Sequence, residues 1–222
     1  MINPTYTLLI GSRNFSSWSL RGWLAMKLTG EPFETKLFNF HTPERAQIAQ
    51  ASPSGLVPAL TVARDGQPPF MVWDSLALGE FLAEAHASAH LWPEDKFARA
   101  RARSVSAEMH SGFAELRRSC PMDIMARPTH HTLNDETKRN VERIQFLWRE
   151  CRRDFGQGGD FLFGSFSLAD CFYAPVVTRF VTYGIALDAT AHGYADAVTS
   201  WAAMKEWTQG AAQEEAARKK SK

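Results

Sequence analysis

The fold follows largely from residues 6–28, which read YTLLIGSRNFSSWSLRGWLAMKL. Residues 6–10 are rich in β-forming side chains and stop at Gly11, which predicts a short strand. In residues 17–28 the apolar side chains recur at helical spacing, and Gly30 follows as a helix terminator. A strand is therefore expected to lead through a polar, serine-rich turn directly into a helix.

The pattern continues outward from this unit as far as residue 88. Residues 33–40 alternate as in a strand, and residues 42–44 begin a short helix. Residues 59–62 and 69–72 are predicted strands on either side of the turn Asp65-Gly66. Asp74 then caps a helix that is expected to extend to about residue 87. The expected order is β-α-β-α-β-β-α. A βαβ unit followed by a hairpin and a helix is typical of a thioredoxin-like α/β domain.

The second half of the chain carries only helical patterns. A proline-marked linker at 89–94 separates residues 1–88 from an all-α domain at 95–222. Helices are expected over 95–119, 133–155, 167–184 and about 190–210. The basic run at 218–222 is expected to be a frayed, solvated terminus.

Composition limits the partners. The formal net charge of +1 gives no electrostatic reason to expect nucleic acid, and no segment approaches the ~20 apolar residues of a membrane span. Three scattered cysteines suit neither a disulfide framework nor a metal site, so buried thiols in a cytoplasmic protein without a metal are expected. The start of the sequence does not resemble an export signal.

The serine-rich turn has two interpretations. Ser16, Ser17 and Ser19 cluster at the predicted start of the first helix, where a hydroxyl caps unpaired amides. The same position favours an anion, because a helix N-terminus carries partial positive charge. A hydroxyl there donates a hydrogen bond to a thiolate and lowers the pKa of the thiol.

Two further segments are candidates for binding a peptide-like ligand. Pro58 directly precedes the predicted third strand, where thioredoxin-like domains hold a cis-proline that frees the backbone of Val57 for an extended peptide. The alternative is that Pro58 is an ordinary trans edge residue. Asp74 and Ser75 are either a plain helix cap or a site for the charged groups of an α-amino acid.

Four motifs together resemble the cytosolic glutathione transferase family over nearly the whole chain. They are SSWSLR at 16–21, VPAL at 57–60, DSLAL at 74–78 and FGSFSLAD at 163–170. The last is a capping box with Ser167 and Asp170, whose role is folding. The serine turn is similar to that of the serine-type classes, either zeta-like or a related bacterial class.

The resemblance implies the glutathione transferase fold and glutathione as co-substrate. The cysteine backbone of glutathione would pair with Val57 beside Pro58, and its γ-glutamyl end with Asp74 and Ser75. Ser16 is the first choice for stabilising the thiolate and Ser17 the second.

One expected contact to the glycine carboxylate departs from the family pattern. Many members carry a lysine at the position of Leu56, so His41 or Arg45 would replace the contact that a lysine makes there.

The resemblance also bears on activity and assembly. The thiolate would attack a small hydrophobic electrophile by conjugation, isomerisation or peroxide reduction, in a pocket that the helical domain helps to form. Met109, Phe113, Met122 and Met125 are candidates for lining that pocket, and they are also compatible with plain core residues of the helical domain. The family is usually homodimeric. The alternative is a non-catalytic protein of the same fold that binds glutathione or another ligand.

Overall fold

The computed structural model describes residues 5–127 and 131–220, and its first half is a four-stranded sheet with three helices. The elements are β1 Thr5–Gly11, α1 Ser17–Thr29, β2 Phe33–Phe38, α2 Glu44–Ala51, β3 Ala59–Arg64, β4 Gln67–Trp73 and α3 Ser75–Ala85. The strand order is β2-β1-β3-β4. Strand β1 is parallel to β2 and antiparallel to β3, and β3 and β4 form the hairpin. The thioredoxin-like prediction is confirmed.

Strand β1 is an interior strand of the sheet and carries its longest run of buried residues. Leu8 and Ile10 are fully buried, and Leu8 pairs with the equally buried Leu60 of β3. Helix α1 covers this sheet with Leu20 and Leu24, both inaccessible to solvent. Burial of these apolar side chains holds α1 against the sheet, and this also determines the position of the serine-rich turn that precedes α1.

The second half is helical, as predicted. Its elements are α4 Lys96–Ser111, α5 Ala114–Ser119, α6 Asp135–Phe155, α7 Leu168–Thr182, α8 Ala189–Ser200 and α9 Ala202–Lys220. Helix α7 is the buried centre of this domain. It begins at the predicted capping box, where Asp170 Oδ2 accepts from the backbone N–H of Ser167 at 2.8 Å and from its hydroxyl at 3.0 Å.

Two of the predicted helices are interrupted, and the predicted frayed tail is wrong for residues 218–220. The helix expected over 95–119 breaks at Gly112, where a side chain would lie 2.7 Å from the carbonyl oxygen of Glu108. The helix expected over 190–210 breaks at Trp201, whose ring stacks on Phe166 at 3.5 Å. Helix α9 then continues to Lys220.

The helical domain packs directly on α1 and on the turn that precedes it. Leu168, at the start of α7, donates its N–H to the carbonyl of Leu91 at 2.8 Å. Trp207 of α9 lies 5.4 Å from the ring of Trp23, and its indole N–H donates to the carbonyl of Arg13 at 3.0 Å. The turn between β1 and α1 is therefore supported from both domains.

Residues 5–127 and 131–220 contain neither a membrane-spanning helix nor a clustered metal site. No helix there combines the length and the apolar character needed to cross a membrane. The same residues contain no cluster of three or more histidine, cysteine or acidic side chains arranged to hold a metal ion.

Candidate active site

A groove runs across the thioredoxin-like domain from the start of α2 to the start of α3. It consists of two adjacent cavities of about 390 and 440 Å³, sizes typical of small-ligand sites. Trp18, Leu56 and Val57 line both cavities. The first is otherwise lined by Phe15, Ser16, Ser17, Phe40, Arg45, Ala46, Ile48, Ala49 and Gly55. The second is otherwise lined by Ser54, Pro58, Trp73, Asp74 and Ser75.

Ser16 is the N-cap of α1, and its hydroxyl is committed to that role. Its oxygen accepts from the backbone N–H of Ser19 at 3.3 Å, and its proton is donated to the hydroxyl oxygen of Ser19 at 2.7 Å. Ser19 in turn accepts from the N–H of Gly11 at 2.9 Å, which ties the turn to β1. The capping interpretation of the serine-rich turn is therefore confirmed for Ser16.

Ser17, the first residue of α1, is differently placed. Its hydroxyl makes no hydrogen bond to any residue in the described part of the chain. The backbone N–H groups of Ser17 and Trp18 also lack partners among residues 5–127 and 131–220, as expected in the first turn of a helix. Together they form a set of donors that faces the first cavity and suits an anion.

The middle of the groove is formed by Val57 and Pro58. The bond between them is cis, which confirms the predicted cis-proline. Helix α1 approaches Pro58 closely at Gly22, where a Cβ atom would lie 2.9 Å from the proline ring. Neither backbone group of Val57 is hydrogen bonded to another described residue. Both remain available to an extended ligand.

The far end of the groove is the start of α3. Asp74 is the N-cap, and its Oδ1 accepts from the N–H of Leu76 at 2.8 Å and of Ala77 at 3.3 Å. The backbone of Asp74 has φ 73° and ψ 137°, a sparsely populated region for a residue other than glycine, and such strain clusters at functional sites. Ser75 is buried, and its hydroxyl has no partner among the described residues.

The three residues considered for the contact to the glycine carboxylate, at the α2 end of the groove, lie in different places. Leu56 is 68% exposed and lines both cavities, so its apolar side chain occupies the rim. His41 packs its ring edge-on against Phe15 at 4.9 Å and is not among the residues that line either cavity. Arg45 lines the first cavity and forms no ion pair within residues 5–127 and 131–220. Arg45 is the cation that the geometry brings to the groove.

The sequence pattern predicts Trp18 as part of the apolar face of α1. The structure places its ring in the groove wall, with the guanidinium of Arg21 at 4.4 Å and that of Arg117 at 4.9 Å. His110 of α4 contacts the same ring edge-on at 5.1 Å. Burial, followed by the charges of Arg117 and Arg179, lowers the pKa of Arg21 well below its usual range. The helical spacing of Trp18 gave no signal that distinguishes a groove wall from a core residue.

The remaining sequence candidates do not line the groove. Burial raises the pKa of Cys120 to about 11 and that of Cys151 to about 12, which fits structural thiols. Met109 and Met122 are core residues, whereas Phe113 and Met125 are only partly buried. None of these cysteines, and none of Met109, Phe113, Met122 and Met125, is among the residues that line the two cavities.

Comparison with known proteins gives matches in both halves of the chain. The family model of the glutathione S-transferase N-terminal domain matches residues 15–85, and that of the C-terminal domain matches residues 134–210. A probable maleylacetoacetate isomerase from Caenorhabditis elegans is 32% identical over 105 residues, 47% of this chain and 46% of the relative. The chain thus matches about half the length of this curated relative.

Solved structures are similar over nearly the whole chain. Glutathione transferase Omega 2S from Trametes versicolor has a TM-score of 0.72 at 21% identity, covering 98% of this chain and 99% of that one. Maleylacetoacetate isomerase from Anaeromyxobacter dehalogenans 2CP-1, solved with dicarboxyethyl glutathione and citrate, has a TM-score of 0.67 at 25% identity, covering 93% and 95%. With both domain models matched in order, the chain belongs to the cytosolic glutathione S-transferase family.

Proposed function

We propose that this protein is a glutathione-dependent transferase, in which bound glutathione reacts as its thiolate with a small hydrophobic electrophile. One observation carries the proposal: the groove has the charges and donors of a glutathione site in the matching order. Arg45 lies at one end for the glycine carboxylate, and Val57 offers its unpaired backbone to the cysteine. Asp74 and Ser75 lie at the other end for the γ-glutamyl group.

Ser17 is the preferred thiolate donor. Its hydroxyl and the N–H groups at the start of α1 have no partners among the described residues, whereas the proton of Ser16 is used inside the cap. A hydrogen bond to the thiolate favours the ionised form, and each pKa unit corresponds to about 1.4 kcal/mol. The serine acts as a donor to the sulfur of the substrate and forms no covalent bond.

The γ-glutamyl end is held by charge and by hydrogen bonding. The side chain of Asp74 is 44% exposed, so its carboxylate accepts from the substrate ammonium while it caps α3. The substrate carboxylate lies at the N-terminus of α3, where the N–H of Ser75 is available. This assignment gives each charged group of glutathione an oppositely charged or donating partner.

The electrophile is proposed to be hydrophobic, because the rim of the groove is apolar. Leu56 is 68% exposed and Trp73 is 47% exposed, and both border the second cavity. The Trametes versicolor enzyme that shares this fold was solved with the aromatic ligand 2,4-dihydroxybenzophenone. Conjugation joins the sulfur of glutathione to an electrophilic carbon, with loss of a leaving group or addition across a double bond.

Glutathione-dependent cis–trans isomerisation is a second candidate, favoured by the two maleylacetoacetate isomerases among the similar proteins. In that reaction the thiolate adds to an activated carbon–carbon double bond, the bond rotates, and the thiolate leaves unchanged. A maleyl-type alkene that isomerises only in the presence of glutathione supports this candidate. Formation of a stable conjugate supports transfer.

The experiment that tests the proposal pairs binding with turnover. Calorimetry measures the affinity for glutathione, and model electrophiles of several classes measure glutathione consumption. Binding with turnover supports the transferase. Binding without turnover on any thiol-reactive substrate favours the non-catalytic alternative, and no binding contradicts both.

We also propose a homodimer in the cytoplasm. The edge strand β4 exposes Phe70 at 53%, and the start of α4 exposes Phe97 at 68%. Exposed aromatic side chains of this size are typical of interfaces between subunits. Three buried free cysteines suit a reducing compartment. Light scattering on the purified chain tests the assembly: a mass of about 25 kDa, the 24.9 kDa of one chain, contradicts the dimer.

A further inference from the structure

The carboxylate of Asp74 has two sides with different partners. Oδ1 accepts from the first backbone N–H groups of α3, at 2.8 and 3.3 Å. Oδ2 lies 3.2 Å from Nε2 of His110, which belongs to α4 of the helical domain. The groove residue that faces the ligand is therefore in contact with a side chain from outside the thioredoxin-like domain.

The position of the His110 ring is set by aromatic packing. Trp18 of α1 contacts it at 5.1 Å and Phe172 of α7 at 6.1 Å. Its Nδ1 is buried and has no hydrogen-bond partner among residues 5–127 and 131–220, so Nε2 is its polar contact with the protein. The rings of Trp18 and Phe172 thus hold the imidazole of His110 with its Nε2 facing Asp74.

Because its ring is held in place, His110 restrains the orientation of the Asp74 carboxylate, which a mobile surface ion pair does not do. Asp74 holds a strained backbone conformation, and its carboxylate has to face the groove while it also caps α3. A contact on Oδ2 limits the rotation of the carboxylate about its side-chain bond. The orientation of the acceptor is then determined before the ligand arrives, which lowers the entropy cost of binding.

We propose that His110 is a positioning residue for the ligand, acting through Asp74 to orient the carboxylate that receives the γ-glutamyl ammonium. This inference rests on the proposed function of the groove. His110 does not touch the reacting sulfur, and its effect is on binding and not on the chemical step. The helical domain thereby contributes to the affinity for glutathione.

Two substitutions separate the polar contact from the packing. His110→Phe keeps a ring between Trp18 and Phe172 but removes the nitrogen, and His110→Gln restores an N–H donor of similar reach. Arg103→Met is the matched control. It removes the contact between Arg103 and Glu80, at 2.8 and 3.0 Å, which joins the same two helices α4 and α3 away from the groove.

The measurements are the Kd for glutathione by calorimetry, KM and kcat with a model electrophile, and the thermal unfolding midpoint. We expect His110→Phe to raise both Kd and KM for glutathione about fivefold, the scale of one partly exposed polar contact. We expect kcat at saturating glutathione to stay within about twofold of the wild type. His110→Gln should recover most of the affinity, and Arg103→Met should bind like the wild type.

A double substitution tests whether the effect passes through Asp74. In an Asp74→Asn background, His110→Phe should change Kd no further, because the carboxylate that it orients is already gone. Additive losses, or a wild-type Kd for His110→Phe alone, overturn the inference and leave the proposed function intact. If the wild-type protein does not bind glutathione, the proposed function fails and the inference with it. If His110→Phe does not fold, His110→Leu, which also removes the nitrogen that contacts Asp74, is compared with Arg103→Met, and an equal Kd for glutathione in both overturns the inference.

Discussion

Replacing Ser17 with alanine is the sharpest perturbation of the proposed site, because Ser16 provides a matched control one residue away. The hydroxyl of Ser17 has no partner in the described part of the chain, so its removal should change the free energy of unfolding by less than about 0.5 kcal/mol. The hydroxyl of Ser16 caps α1 through Ser19 at 3.3 and 2.7 Å. Ser16→Ala should therefore cost about 1 kcal/mol of stability.

The magnitudes for the thiol follow from the same contacts. A hydrogen bond to a charged group contributes about 1.5–3 kcal/mol, and one pKa unit corresponds to about 1.4 kcal/mol. Loss of the donor in Ser17→Ala should therefore raise the pKa of bound glutathione by about 1–2 units. At a pH below that pKa, the thiolate fraction and kcat should fall about 10- to 100-fold.

The assay is a titration of the thiolate by its ultraviolet absorbance in the complex, with the pH profile of kcat and denaturant unfolding of each variant. The expected result is a crossed pattern: Ser17→Ala changes the thiol and Ser16→Ala changes the stability. An increase in thiol pKa for Ser16→Ala that equals or exceeds the increase for Ser17→Ala refutes the assignment.

Three further predictions address the groove and the core. Arg45→Ala should weaken glutathione binding about fivefold in calorimetry, because it removes from the first cavity a cation that forms no ion pair in the described chain. Unchanged binding would exclude a contact between Arg45 and the glycine carboxylate. Gly22→Ala should destabilise the protein by about 1–3 kcal/mol in denaturant unfolding, since the new Cβ would lie 2.9 Å from Pro58; wild-type stability would contradict the close approach. Burial raises the pKa of Asp170 from 3.8 to about 6, so the folded chain binds this proton more tightly than the unfolded chain. The stability that this proton contributes is fully present below pH 3.8 and is lost as the pH rises to about 6. Across that window the unfolding free energy of the wild type should therefore fall by about 3 kcal/mol through Asp170, and Asp170→Asn should lack this fall. Curves of unfolding free energy against pH that run parallel in the two proteins would contradict the raised pKa.

Much of the thioredoxin-like domain was predictable because its signals are local. The turn Asp65-Gly66 specifies the hairpin, and Asp74 caps α3 as expected from its position. The break after α4 had a weak local signal in Gly112, but the break at Trp201 had none, because it depends on a ring that stacks on Phe166. Local chemistry therefore determines where elements begin, and distant packing determines some of the places where they end.

The site was predictable in part, for the same reason. The motif VPAL identified the cis-proline, whereas the choice between Ser16 and Ser17 depends on which hydroxyl the cap consumes. The contact of His110 with Asp74 joins residues far apart in the chain, and no spacing in the sequence reveals it. The domain boundaries at 88 and 95 stay a prediction.

The central claim is that glutathione lies along this groove with its sulfur at the start of α1. A crystal structure of the protein with glutathione tests it most directly. The expected result places the sulfur within about 3.5 Å of the Ser17 hydroxyl, with the ligand backbone on Val57 and its γ-glutamyl end at Asp74. Glutathione bound with its sulfur away from α1, or bound outside the groove, would contradict the account.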